Sequence, residues 1–257
     1  MKIQFVTASL ALLFCFTSYA ADLDRATVES LLAKASGNKP ADLRRKNLTD
    51  LDLSGLDLTH ADLWGSDLRK TNLSKSNLSG LILDLTVMTK INLSGANLSK
   101  TSIFGVSMMS ANLSNANLTK SRFIANLDRA DLNHADLRGA DWGVDMKNQP
   151  MGLMRVSLNN VNLSGANLTD ANLNRALLRH ANLTGSVLRN TILFGADLSG
   201  SDFSNADLSG ADLTGCTLTD VNFTGSNVAG TRFSGVKDKS MLKVLENSKN
   251  IESAIFE

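Results

Sequence analysis

The chain has 257 residues, with 26 Lys+Arg against 25 Asp+Glu, 43% hydrophobic residues, 5% aromatic residues and two prolines. That hydrophobic share excludes a disordered chain, and the scarcity of rings requires an aliphatic core. Without residues 1–20, which hold Lys2 and no acid, the charges balance at 25 to 25, too neutral for a non-specific nucleic-acid binder or a polyanion mimic.

Residues 1–20 read as a secretory signal peptide. Met1 and Lys2 form a short positive start, Ile3 to Phe16 is mostly apolar, and Ser18-Tyr19-Ala20 places small residues for cleavage after Ala20. An uncleaved N-terminal anchor is the alternative. A lipoprotein signal at Cys15 is disfavoured by the bulky Phe14 before it. Cleavage leaves Cys216 as the single thiol, so no internal disulfide forms, and its place in the pattern below suits a small buried residue. The expected destination is the periplasm or the extracellular medium.

Residues 21–40 read as an N-terminal capping segment. The spacing of Val28, Leu31, Leu32 and Ala35 predicts a helix over Asp24–Ser36, capped by Asp24 and ended at Gly37.

From Leu43 onward a five-residue period takes over. Seventeen apolar centres run in one register from Leu43 to Phe123; after a slip of one residue, Leu127, Leu132, Leu137 and Trp142 continue it. Sixteen more run from Leu158 to Phe233, thirty-seven in all. Two residues before each centre the side chain is usually small, as at Ala61, Ala96, Ala166 and Ala206, and one residue before it is usually Asp or Asn. In an extended stretch, residues two apart share a side, so the small residue and the centre face inward and the Asp or Asn faces water. Fifteen of the 18 glycines lie two residues after a centre, where the third position of a type II turn requires positive φ. Pro40 and Pro150 both fall outside the repeats, as stacked backbone pairing demands.

This small–(Asp/Asn)–Leu–x–x pattern resembles the pentapeptide-repeat family over about 190 residues. The resemblance implies an all-β fold: a right-handed quadrilateral parallel β-helix with four repeats per coil and short N- and C-terminal capping helices. The repeats then divide into residues 41–142 and 156–235, about nine coils, in a rod on the order of 45 Å long at the usual strand spacing.

Residues 143–155 read as an excursion loop between the two repeat segments. Residues 236–257 read as a C-terminal helical cap, with a helix over Ser240–Asn247 and an apolar tail that something should cover. In some members of the family such a segment makes a homodimer contact, which is the second expectation for it.

The regular repeats leave certain outward positions apolar. Ile82, Val87, Leu177, Val187 and Ile192 stand where Asp or Asn is usual, and Phe104, Met109, Ile124 and Phe194 follow centres directly. At twenty residues per coil Leu85, Phe104 and Ile124 fall together, so these ten residues are the candidate partner-binding positions, against the alternative that they seat the loop or the tail.

Catalytic chemistry is missing from the pattern. His60, His134 and His180 are isolated at turn positions. Asp197, Asp202, Asp207 and Asp212 fall on four successive sides, a ring better suited to water than to calcium. No catalytic residue, cofactor or metal is expected. The reading is a non-enzymatic exported scaffold for an unknown protein partner, without nucleic acid and without a membrane span once the signal is removed. A secreted effector docking on host proteins is the alternative. Some relatives implied by the resemblance bind gyrase as DNA mimics, a role that neutral charge and export both disfavour.

Overall fold

The computed structural model describes residues 21–144, 154–235 and 241–256. The expected signal peptide, most of the excursion and residues 236–240 lie outside them. Among the described residues, no helix is long and apolar enough to cross a membrane.

Backbone pairing runs parallel and closes on twenty residues. Ala41 pairs with Ala61, Asn47 with Asp67, Asp52 with Asn72 and Asp57 with Asn77, one contact on each of four sides. The chain is a right-handed quadrilateral β-helix. All thirty-seven centres point inward, and none is more than 9% exposed. Each buried leucine contributes about 2 kcal/mol of apolar burial.

One repeat shows why the composition recurs. In Ile91-Asn92-Leu93-Ser94-Gly95, the Ile91 N–H closes the preceding turn on Met88 O (3.1 Å). Asn92 N–H reaches down to Thr71 O (3.0 Å), and Leu93 and Gly95 reach up to Asn112 O (2.7 Å) and Ser114 O (2.8 Å). Only Ser94 N–H lacks a backbone acceptor, and the Asn92 Oδ1 takes it at 3.1 Å. The Asp or Asn therefore does more than face water: it satisfies the fifth donor of its repeat, which would otherwise be stranded at the corner. Asparagines add a ladder between coils, as in Asn117 to Asn97 to Asn77 (3.2 and 3.0 Å). All fifteen turn glycines have positive φ, as does Leu85 at the same position (φ 61°).

Where a Ser or Thr replaces the inward alanine, its hydroxyl is buried and donates to a carbonyl. Ser66 and Thr86 bond within their own turn (both 2.7 Å); Thr71 and Thr191 reach the coil below (2.7 and 2.8 Å).

The slip after Phe123 is a local bulge. Strands Ser102–Ser107 and Arg122–Asn126 pair at Phe104↔Ile124 with a twenty-residue offset and at Ser107↔Asn126 with nineteen. Gly105 and Val106 thus oppose Ala125 alone, and the strands run through the corner without a turn. The break adds eleven residues and no new side: Asn126 pairs with Ser157 and Asp141 with Asn172, and the columns continue.

Both ends are covered. α1 spans Arg25–Leu32, with Asp24 Oδ1 accepting Thr27 N–H at 2.8 Å and Val28 fully buried. Arg25 holds it to the first coil through Asp52 O and Ser54 O, both at 3.1 Å. The helix is shorter than Asp24–Ser36. Ser36 and Lys39 exchange backbone bonds (2.9 and 3.0 Å), so Gly37 sits in a tight hairpin and not at a helix end.

The C-terminal segment departs further from a helical cap. Helix α2 is only Met241–Val244, with a 3₁₀ turn at Ile251–Ser253. Between and after them the chain lies along the last coil: Gly225 donates to Asn247 O (2.7 Å), Val228 to Lys249 O (3.0 Å) and Phe233 to Ile255 O (2.7 Å). The final coil presents unpaired N–H groups toward its end. An α-helix, whose carbonyls are already engaged, cannot accept them, whereas an irregular segment can.

Candidate functional site

The side that begins at Leu43 differs from the other three. It carries ten stacked centres, Leu43, Leu63, Leu83, Ile103, Phe123, Trp142, Leu173, Leu193, Leu213 and Phe233, and Ile255 pairs beyond them with Arg232. Among the described residues ten large apolar side chains are exposed. Nine lie on this side or its edge: Trp64, Ile82, Leu85, Phe104, Met154, Ile192, Phe194, Ile255 and Phe256. Only Val87 lies elsewhere, on the next side.

The ten predicted positions are therefore only partly brought together. Ile82, Leu85 and Phe104 form one exposed group, at 64%, 58% and 40% exposure. Ile192 and Phe194 form a second group farther along the same side. Val87, Met109 and Leu177 occupy the second side and Val187 the fourth; Met109, Leu177 and Val187 are half-buried. Ile124 is not outward at all. It is 2% exposed, because the missing residue at the slip removes the turn that would have swung it out. With Val106, Ala125, Met154 and Arg155 it lines a shallow groove of about 310 Å³.

Periodicity had not singled out Trp64, Met154, Ile255 and Phe256. Trp64 was legible in principle, one residue after a centre and forty before Phe104. Its ring lies under Arg45, with the guanidinium carbon 5.0 Å from the ring centre. Arg44 beside it pairs with Asp42 (2.9 Å) and approaches Asp62 (3.6 Å). Phe256 stacks on Phe233 (5.6 Å) and still remains 42% exposed.

Several carboxylates on the rod are paired with a nearby arginine. The Arg44 hydrogen bond holds the Asp42 carboxyl down at about 2. Guanidinium hydrogen bonds from Arg69 and Arg138 likewise lower Asp67 and Asp136. At Asp197 and Asp207 burial pushes upward, but hydrogen bonds from Ser199 with Arg179, and from Ser209 with Arg189, outweigh it and leave both carboxyls lowered. Burial pushes the Cys216 thiol up to about 12, and its Sγ lies 3.0 Å from Leu193 O. Such a thiol is a packing group and not a nucleophile. Among the described residues no three His, Cys, Asp or Glu side chains gather as metal ligands.

The sequence profile of pentapeptide repeats matches eight times, over residues 47–142 and 157–237 with one gap of a single residue at the slip. The chain belongs to the pentapeptide-repeat family. Similar solved pentapeptide-repeat structures include HetL, involved in heterocyst differentiation regulation in the cyanobacterium Nostoc sp. strain PCC 7120. It is 30% identical, with 82% of this chain and 97% of that one covered and a TM-score of 0.35. A pentapeptide repeat protein from the Arabidopsis thaliana thylakoid lumen is 38% identical over 31% of this chain and 55% of its own, with a TM-score of 0.31. QnrB1, a plasmid-mediated fluoroquinolone resistance protein, is 20% identical over 78% and 97%, with a TM-score of 0.39. No curated protein matches the chain. Within this family fold the apolar first side is the feature that sets one face of the rod apart.

Proposed function

We propose that this pentapeptide-repeat protein is a non-enzymatic interaction module of the cell envelope, exported by residues 1–20, that docks protein partners along its first side. One observation carries the reading: among the described residues nine of the ten exposed large apolar side chains share that side or its edge, and only Val87 lies elsewhere. A soluble rod gains nothing from a one-sided apolar face unless the face is covered in use. The frame is rigid, so little ordering entropy opposes binding there.

The test is affinity capture from the envelope fraction of the source cells, with wild type beside Phe104→Asp and Phe194→Asp. Both side chains are exposed, so folding should be unaffected. A protein retained by wild type and lost by both variants supports docking on this side; equal retention by all three removes it. Fractionation of cells and medium separates an envelope module from a secreted effector, and recovery in the cytosol with residues 1–20 intact would overturn export.

A further inference from the structure

We infer that the partner fitted by the first side is a second copy of this chain, laid antiparallel, face against face. The inference rests on the proposed use of that side for docking and names its occupant.

The argument is the order of side chains along the ten rungs from Leu43 to Phe233. In an antiparallel pair whose two-fold axis lies between the Phe123 and Trp142 rungs, the third rung meets the eighth. Ile82 then faces Ile192 of the other copy with Leu85 beside Phe194, in two symmetry-related places, while Phe194 itself meets Asp84 and Phe104 meets Asn174. At the axis, the Arg122–Asp141 ion pair (2.7 Å within one chain) meets its own copy with signs alternating. Along the edge, Lys100 meets Asp170; both are exposed, and Lys100 has no ion-pair partner among the described residues. At the ends Asp42 meets Arg232. The one like-charge opposition, Asp62 with Asp212, is moderated by Arg44, 3.6 Å from Asp62.

Neighbouring registers lose these matches. A shift of one rung in either direction sets Arg122 against Arg122 or Asp141 against Asp141 and separates the apolar groups. Five carboxylates on the face, Asp42, Asp62, Asp84, Asp141 and Asp212, oppose an anionic lipid surface or nucleic acid as its cover. Size also fits: a face about 45 Å long and roughly 15 Å wide removes about 1,400 Å² in total from two copies, within the range of specific dimers.

The test has two arms on the purified protein. Sedimentation equilibrium should give a dimer that Lys100→Glu weakens by about tenfold and that adding Asp170→Lys to the same chain restores. Under mild oxidation, Ile82→Cys with Ile192→Cys should form a linked dimer. Within one chain these positions are five rungs, about 24 Å, apart and cannot bridge. Ile82→Cys with Asp212→Cys, one rung out of register, should link far less. A protein that stays monomeric at 100-fold dilution steps down from about 100 µM overturns the inference and leaves docking of a different protein standing. So does a dimer insensitive to Lys100→Glu but dissolved by Phe256→Asp, which would place the contact at the coil end.

Discussion

Replacing Trp142 by leucine restores the residue found at most other centres, so no backbone objection arises and the cost measures the ring alone. The indole is fully buried, stacks on Phe123 at 4.8 Å with 5° between planes, and donates Nε1–H to Ser121 Oγ at 3.0 Å. Losing the stack costs about 1 kcal/mol. The volume lost, roughly 60 Å³, adds about 1.5 kcal/mol at ~24 cal/mol per Å³. The hydrogen bond adds ~0.5 kcal/mol, low in its usual range because Ser121 Oγ keeps its own bond to Leu118 O (2.7 Å). The total is about 3 kcal/mol. In guanidinium denaturation followed by far-UV circular dichroism, that lowers the midpoint by roughly 0.5–1 M at unchanged slope. Trp64 is then the sole indole and is exposed, so the emission of the folded variant moves to the red. A double-mutant cycle with Phe123→Leu should return a coupling of about 1 kcal/mol. A midpoint shift under 0.2 M with no coupling would refute the stabilisation assigned to the buried Trp142 ring and its stack on Phe123.

Other consequences follow from the same packing. Leu168→Ala should cost about 3 kcal/mol in the same assay, whereas Thr191→Val should be within ~1 kcal/mol of wild type. The Leu168 carbonyl that Thr191 Oγ1 bonds also accepts Ala171 N–H at 2.9 Å and is not stranded. Cys216 should react with a thiol reagent at neutral pH only on unfolding, at a rate that rises with denaturant; rapid modification of the native protein would contradict its buried, raised thiol. Thermal stability should be flat from pH 7 to 5 and fall below about pH 4. Asp42, Asp67, Asp136, Asp197 and Asp207 titrate lower folded than unfolded, so their stabilisation is present above the ordinary aspartate value and is lost as pH falls through the lowered ones, about 2 for Asp42. A loss beginning near pH 6 would point to other groups.

Much of this architecture is written in a single period. Spacing identifies the centres, the glycine positions identify the turn, and both survive in three dimensions except for the turn lost at the slip after Phe123. What period alone does not supply is the reason for Asp or Asn before each centre. That residue answers a backbone donor two positions on, visible only when all five N–H groups of a repeat are traced to acceptors. The candidate site was half legible. Leu85 and Phe104 fall together by column arithmetic, but Ile124 follows the same arithmetic and is buried, because one missing residue abolishes its corner. The C-terminal segment misled for a related reason. Met241, Leu242, Val244 and Leu245 carry a helical pattern, yet the open donors of the last coil require extended chain beyond the first turn.

Within the repeats the offset between paired residues is twenty, then nineteen, then thirty-one, then twenty again, and each column resumes where it left off. Length and sidedness are thus separate variables. Adding or excising a whole circuit of four repeats would move the ends of the molecule by about 4.8 Å while every remaining residue kept its compass bearing. The fold behaves as a ruler whose markings are side chains, and any spacing between two attachment points is available in steps of a single strand.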